Sequence, residues 1–138
     1  MMTKIRGILL VDHDSGINLI HRTIIEDSGY GELIKVSEYP EEALEVLGSV
    51  ASGEVGSDEW FPSIVFLDIN MPGMNGFQFI EKFEQFPPSF RDEISIVMLT
   101  TSLNPADLEE STVHKGVKAF VPKPLDMESF AETLEDIF

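Results

Sequence analysis

Four short apolar runs in this chain each finish on a polar residue: Gly7-Ile8-Leu9-Leu10-Val11 on Asp12, Ile64-Val65-Phe66-Leu67 on Asp68, Ile94 to Leu99 on Thr100, and Ala119-Phe120-Val121-Pro122 on Lys123. Unbroken apolar runs of this length suit strands buried on both faces, the condition of a parallel sheet covered by helices. All carboxyl ends of such a sheet lie along one edge. Two acids, a hydroxyl and an amine are therefore expected to converge on a single cleft.

The segments between these runs read as helices. The first spans about Ser15 to Ser28, with Asp14 or Ser15 as N-cap and Ile17, Ile20 and Ile24 at helical spacing, and is broken by Gly29 and Gly31. A short strand over 33–37 follows. Pro40-Glu41-Glu42 then opens a helix whose Ala43, Leu44, Leu47 and Ala51 make one apolar face. Residues 52–59 read as an irregular surface connection. Beyond Asp68, a helix over 75–85 turns Phe77, Ile80 and Phe83 inward and stops near Pro87-Pro88. A strand over 94–99, a weakly amphipathic helix from Pro105 to about Lys115, a strand over 118–121 and a helix from Met127 to Phe138 complete the pattern. Five strands alternating with five helices predict an α/β, flavodoxin-like three-layer sandwich with right-handed crossovers and strand order 2-1-3-4-5. That order places Asp12 and Asp68 at the topological switch point. One domain over 1–138, without an output domain, is expected at this length.

Charge narrows the partners. Twenty-five acids against nine bases, a net charge of −16, disfavour nucleic acid and anionic membrane. No apolar run approaches the roughly 18 residues of a membrane span, and Lys4 and Arg6 precede too short an apolar segment for a signal peptide. Cysteine is absent, which removes thiolate chemistry and agrees with a cytoplasmic setting. Neither a Walker loop nor GxGxxG is present.

The run Asp68-Ile69-Asn70-Met71-Pro72-Gly73-Met74-Asn75-Gly76 resembles the Asp-x-x-Met-Pro-x-x-x-Gly pattern of the receiver domain of two-component response regulators. Thr100 and Lys123-Pro124 follow in the family's order, and the resemblance covers essentially the whole chain. It implies that Asp68 accepts a phosphoryl group from a histidine kinase or phosphotransfer protein. It also implies that Thr100 and Lys123 bind the phosphoryl oxygens, that Phe120 is a switch aromatic, and that the bond before Pro124 is cis. Mg²⁺, a hard cation that prefers oxygen, is the implied cofactor, held by Asp12, Asp68 and the backbone carbonyl of Asn70. The side chains of Asn70 and Ser102 flank the site by the same resemblance and bear on the lifetime of the phosphoryl group. The implied output is a contact with a downstream protein, through the face made by the helix after Pro105, the fifth strand and the last helix. Leu108, Val113, Phe120 and Phe130 supply its apolar content. Catalysis is implied only as self-catalysed phosphorylation and dephosphorylation, so the chain is not read as an enzyme.

One position departs from the family pattern. Asp12-His13-Asp14 stands where two adjacent acids are usual, and His13 occupies the place of a direct metal ligand. Imidazole suits transition metals better than Mg²⁺, which brings Mn²⁺ into consideration. Asp14 could supply the missing carboxylate or serve only as the helix cap, and both His13 and Asp14 stay open as ligands. His13 also motivates a phosphorylation-independent interaction module as an alternative. Val11-Asp12-His13-Asp14 further resembles the Asp-x-Asp nucleophile motif of haloacid-dehalogenase-type phosphatases, with Asp12 as nucleophile, although that reading leaves Asp68 and the Met71-Pro72 turn unexplained. His21 and His114 have no metal-ligating company and are read as exposed helix residues.

Overall fold

Parallel ladders join β1 (Ile8–Val11), β2 (Ile34–Ser37), β3 (Ile64–Asp68), β4 (Ser95–Thr100) and β5 (Val117–Pro122) into one sheet in the order β2-β1-β3-β4-β5. This is the order expected from the alternation of the sequence. The computed structural model describes residues 5–54, 56, 59–101 and 104–138. The connection expected over 52–59 lies partly outside them, at residues 55, 57 and 58, and Ser102 also lies outside them.

Because successive side chains of a strand point to opposite faces, the sheet divides the core in two. Leu9, Val11, Val65, Leu67, Ile96 and Met98 face one side, where they meet the buried residues of α2 (Pro40–Ala51) and α3 (Gly76–Phe83). Ile8, Leu10, Ile64, Phe66, Val97 and Leu99 face the other, against Ile25 of α1 (Ser15–Asp27) and Phe130 of α6 (Met127–Ile137). All twelve of these strand residues are buried, which is why the runs read as continuously apolar.

Six α-helices are present among the described residues, one more than expected. The addition is the single turn α4 (Pro88–Arg91). α3 ends at Phe83, ahead of both the expected residue 85 and the proline pair, and Pro88 at the first position presets the backbone for the next helix. Conversely α5 (Pro105–Ser111) ends well before Lys115. The hydroxyls of Ser111 and Thr112 donate back to the carbonyls of Leu108 and Glu109, at 2.6 and 2.7 Å, where the chain leaves the helix.

α1 is rotated from its expected setting. Its buried residues are Asn18, His21 and Ile25, whereas Ile20 is 45% exposed and Ile17 and Ile24 are only partly covered. In α2, Ala43 and Leu47 are buried and Leu44 partly so, but Ala51 is exposed at the helix end.

The loop after β3 returns tightly on itself. Gly73 has φ +83°, a left-handed conformation that glycine adopts without strain. Asn75 then caps α3 reciprocally with Gln78. At Gly76 a Cβ would lie 2.8 Å from the Asp68 carbonyl oxygen and 3.0 Å from both Ile69 Cα and Met98 Cε. Two of these neighbours are backbone and cannot step aside. Gly76→Ala is therefore expected to cost about 2 kcal/mol, read as a lowered denaturant midpoint at unchanged slope. The glycine that ends the sequence pattern is thus explained by a close approach to the strand end that carries Asp68.

Candidate functional site at the carboxyl edge of the sheet

Adjacent parallel strands in register bring Asp12, just past β1, and Asp68, the last residue of β3, to the same edge. Lys123 follows β5, two strands away from β3, and its backbone N–H donates to the Thr100 carbonyl at 2.7 Å. From there its long stem spans the end of β4. Its Nζ donates to Asp12 Oδ2 at 2.9 Å and lies 3.2 Å from Asp68 Oδ1. One ammonium therefore bridges both carboxylates, and all three side chains are at most 7% exposed. Thr100 is buried at the end of β4 beside them in the sheet order.

The loops add main-chain donors. Asp14 N–H donates to Asp12 Oδ1 at 2.9 Å, and Asn70 N–H donates to Asp68 Oδ1 at 3.2 Å. Asn70 itself is exposed. Burial raises the pKa of Asp68, the Asp12 carboxylate raises it further, and Lys123 with the Asn70 N–H opposes both. For Lys123, burial alone would lower the pKa. Its hydrogen bond and attraction to Asp12, reinforced by Asp68, overcome that and hold it above the ordinary lysine value. A buried pair of acids with one shared cation is the resulting charge pattern.

His13 and Asp14 are turned to other tasks. His13 is exposed, with its ring 5.6 Å from that of Tyr39 at a 50° tilt. Asp14 Oδ1 accepts from the N–H groups of Gly16 and Ile17, at 2.9 and 3.1 Å, and so caps α1. The phosphatase reading needs Asp14 directed into the site beside Asp12, and its engagement as a cap disfavours that reading. No group of three or more His, Cys, Asp or Glu side chains able to hold a metal occurs among the described residues. The carboxylates of Asp12 and Asp68, which share the Lys123 ammonium, are oxygen donors of the kind a hard divalent cation prefers.

The Lys123–Pro124 bond is cis. Phe120 is half-buried against the α2–α3 side of the core. On the expected docking face, Phe130 is core, whereas Leu108 and Val113 are 50% and 75% exposed. Both remaining histidines depart from expectation. His114, beyond the end of α5, is partly buried and its Nδ1 lies 2.9 Å from Glu84 Oε2. His21 is 1% exposed and sits under the loop after β5. His21, expected to be exposed, and Asn18 lie with Ile25 at the i, i+3, i+7 spacing of one helix face, a signal that apolar periodicity alone does not register.

A parallel sheet of this order, with acids at the carboxyl ends of the adjacent strands β1 and β3, defines a flavodoxin-like α/β protein. Within that class, a family model described as the response regulator receiver domain matches residues 8–135, and the chain belongs to this family. Chemotaxis protein CheY1 of Helicobacter pylori is 29% identical over 128 residues, covering 93% of each chain. A protein-glutamate methylesterase/protein-glutamine glutaminase of Vibrio vulnificus is 28% identical over 125 residues, but the match covers 90% of this chain and only 32% of that protein. This chain thus spans nearly all of the chemotaxis protein and about a third of the methylesterase. Among solved structures, a two-component response regulator from Cytophaga hutchinsonii is 29% identical with a TM-score of 0.84, covering 97% of this chain and 96% of that one. The protein is a CheY-like receiver of the two-component kind. No helix among the described residues is long and apolar enough to cross a membrane.

Proposed function

We propose that Asp68 accepts a phosphoryl group from a phosphohistidine donor, a histidine kinase or phosphotransfer protein of the cytoplasm, and that the modified receiver signals through protein contacts. The observation that most supports this reading is the Lys123 ammonium set 3.2 Å from Asp68 Oδ1 and 2.9 Å from Asp12 Oδ2 at the sheet edge. In the reaction, an Asp68 carboxylate oxygen forms a bond to phosphorus as the bond from phosphorus to the donor nitrogen breaks. The imidazole keeps the electron pair of that bond, and the product is an acyl phosphate. Lys123 then exchanges its contact with the carboxylate for one with the phosphoryl oxygens, offsetting charge that would otherwise build up between anions. The Thr100 hydroxyl, at the neighbouring strand end, donates to a second oxygen, and Phe120 follows the space that this movement opens.

Mg²⁺ would be held by the carboxylates of Asp12 and Asp68 and the carbonyl of Asn70, with Mn²⁺ as a second choice. Bound there, it supplies the positive charge that lets the two acids and a phosphoryl group coexist. His13, exposed and tilted against the Tyr39 ring, contributes nothing to this donor set.

Intact mass after incubation with phosphoramidate, with and without Mg²⁺, tests the assignment. The expected result is the gain of one phosphoryl group that requires the cation and is lost in Asp68→Asn. Absence of any gain in the folded protein with Mg²⁺, Mn²⁺ and a phosphorylated histidine donor would overturn it and favour a phosphorylation-independent interaction module.

A further inference from the structure

Two buried polar residues of α1 reach the backbone on either side of the Asp12–Lys123 bridge. Asn18 Nδ2 donates to the Asp12 carbonyl at 2.8 Å, and His21 Nε2 accepts from the Leu125 N–H at 3.1 Å. Asn18 is 5% exposed, His21 and Leu125 each 1%. These bonds connect one helix to the loop that carries Asp12 and to the loop just past Lys123.

The second bond matters because of what precedes it. Lys123 N–H is taken by the Thr100 carbonyl, and Pro124 has no N–H. Leu125 therefore offers the first main-chain donor after the lysine, and it is buried. A buried amide without an acceptor loses its hydrogen bond to water with no return, at a cost to the folded state. His21 Nε2 removes that cost only when the loop follows the path it takes here. Acceptance at Nε2 places the ring proton on Nδ1, in the neutral tautomer. Burial lowers the His21 pKa and Lys123 lowers it too, outweighing the opposite pull of Asp12. The ring is therefore kept in the form that can accept.

We propose that His21 is a positioning residue for Lys123: by holding the Leu125 amide it fixes the loop after β5, and with it the root of the side chain whose ammonium sits between Asp12 and Asp68. Its meaning for signalling rests on the phosphoacceptor reading above. The structural role does not.

Two variants separate the acceptor from the bulk of the ring. His21→Leu keeps apolar volume and removes the acceptor, whereas His21→Gln retains a carbonyl acceptor on a flexible stem. Exchange of the Leu125 amide is expected to be about five- to tenfold faster in His21→Leu and to return most of the way to the wild-type rate in His21→Gln. Phosphoryl incorporation from phosphoramidate should fall about tenfold in His21→Leu, recover in His21→Gln, and show no added effect of His21→Leu in a Lys123→Met background. In the wild-type protein, the His21 ¹⁵N shifts should report the Nδ1–H tautomer. Unchanged Leu125 exchange in a folded His21→Leu, failure of His21→Gln to recover it, or an Nε2–H tautomer would each overturn the proposal. If the wild-type protein takes up no phosphoryl group, the phosphoacceptor reading fails while Leu125 exchange and the tautomer still decide the role of His21.

Discussion

Lys123→Met is expected to lower the stability of this protein by about 3 kcal/mol and its phosphoryl incorporation at least about a hundredfold. Both effects have one origin. The ammonium is the shared partner of Asp12 and Asp68, and all three groups are nearly excluded from solvent. Methionine matches the length of the stem but removes the shared cation from two buried carboxylates, which keep the main-chain donors of Asp14 and Asn70. Removing one partner of a buried ion pair typically costs more than the pair contributed, because the remaining charge is uncompensated. In a domain of this size the loss corresponds to roughly 10 °C in the thermal midpoint. The pH dependence has a definite sign. Asp68 has a raised folded-state pKa, and without the ammonium that opposes the rise it takes up a proton more readily on acidification. The gap to wild type should therefore narrow as pH falls from 7 towards about 4. Thermal melts of both proteins across that range check the stability arm. A constant gap would locate the cause elsewhere than in the carboxylates.

Asp68→Asn is expected to act in opposite directions on activity and stability. Incorporation is lost with the nucleophile, while the folded state gains about 1–2 kcal/mol at neutral pH. Two buried acids share one base, an imbalance that asparagine corrects, leaving Asp12 and Lys123 as a balanced pair. A group whose folded pKa is raised favours folding below its unfolded value and loses that contribution as pH rises through the folded pKa. The wild-type protein bears more of the cost of the Asp68 charge at pH 7 than at pH 4, so the gain on substitution is larger at pH 7. It should fade below about pH 4, where Asp68 is neutral in both states. Differential scanning calorimetry at pH 7 and pH 4 makes the comparison. An Asp68→Asn protein less stable than wild type at pH 7 would contradict this account of the site.

The fold was legible because parallel strands announce themselves twice. Burial on both faces demands unbroken apolar runs, and each run ended on the residue that the sheet edge then displayed. Asp12, Asp68, Thr100 and Lys123 could be read as neighbours from that grammar alone. The setting of α1 could not, because counting only apolar residues selects Ile17, Ile20 and Ile24. The face actually buried combines Asn18 and His21 with Ile25. Polar side chains are admitted there because the loops above them present a carbonyl and an amide that need partners. Hydrophobic periodicity carries no information about such partners, which belong to distant segments of the chain. For the same reason Asp14 left two roles open until its contacts with the Gly16 and Ile17 amides were visible. The α4 turn is hidden in the sequence because a proline pair signals a stop more plainly than the start that Pro88 also makes.

The sheet has two outer strands, and each is guarded against further growth. On β5, Lys123 N–H points inward to the Thr100 carbonyl, so the alternation of the strand turns the nitrogen of Pro122 outward. A proline there presents no donor to an approaching chain. Lys118 on the same strand is exposed, as is Lys35 on β2, whose ammonium sits 4.5 Å above the Trp60 ring. A strand arriving at either margin meets a charge that would have to be desolvated, and at β5 it also meets a gap in the ladder. Edge-to-edge polymerisation is thereby disfavoured, and recognition by other proteins is left to the helices and loops.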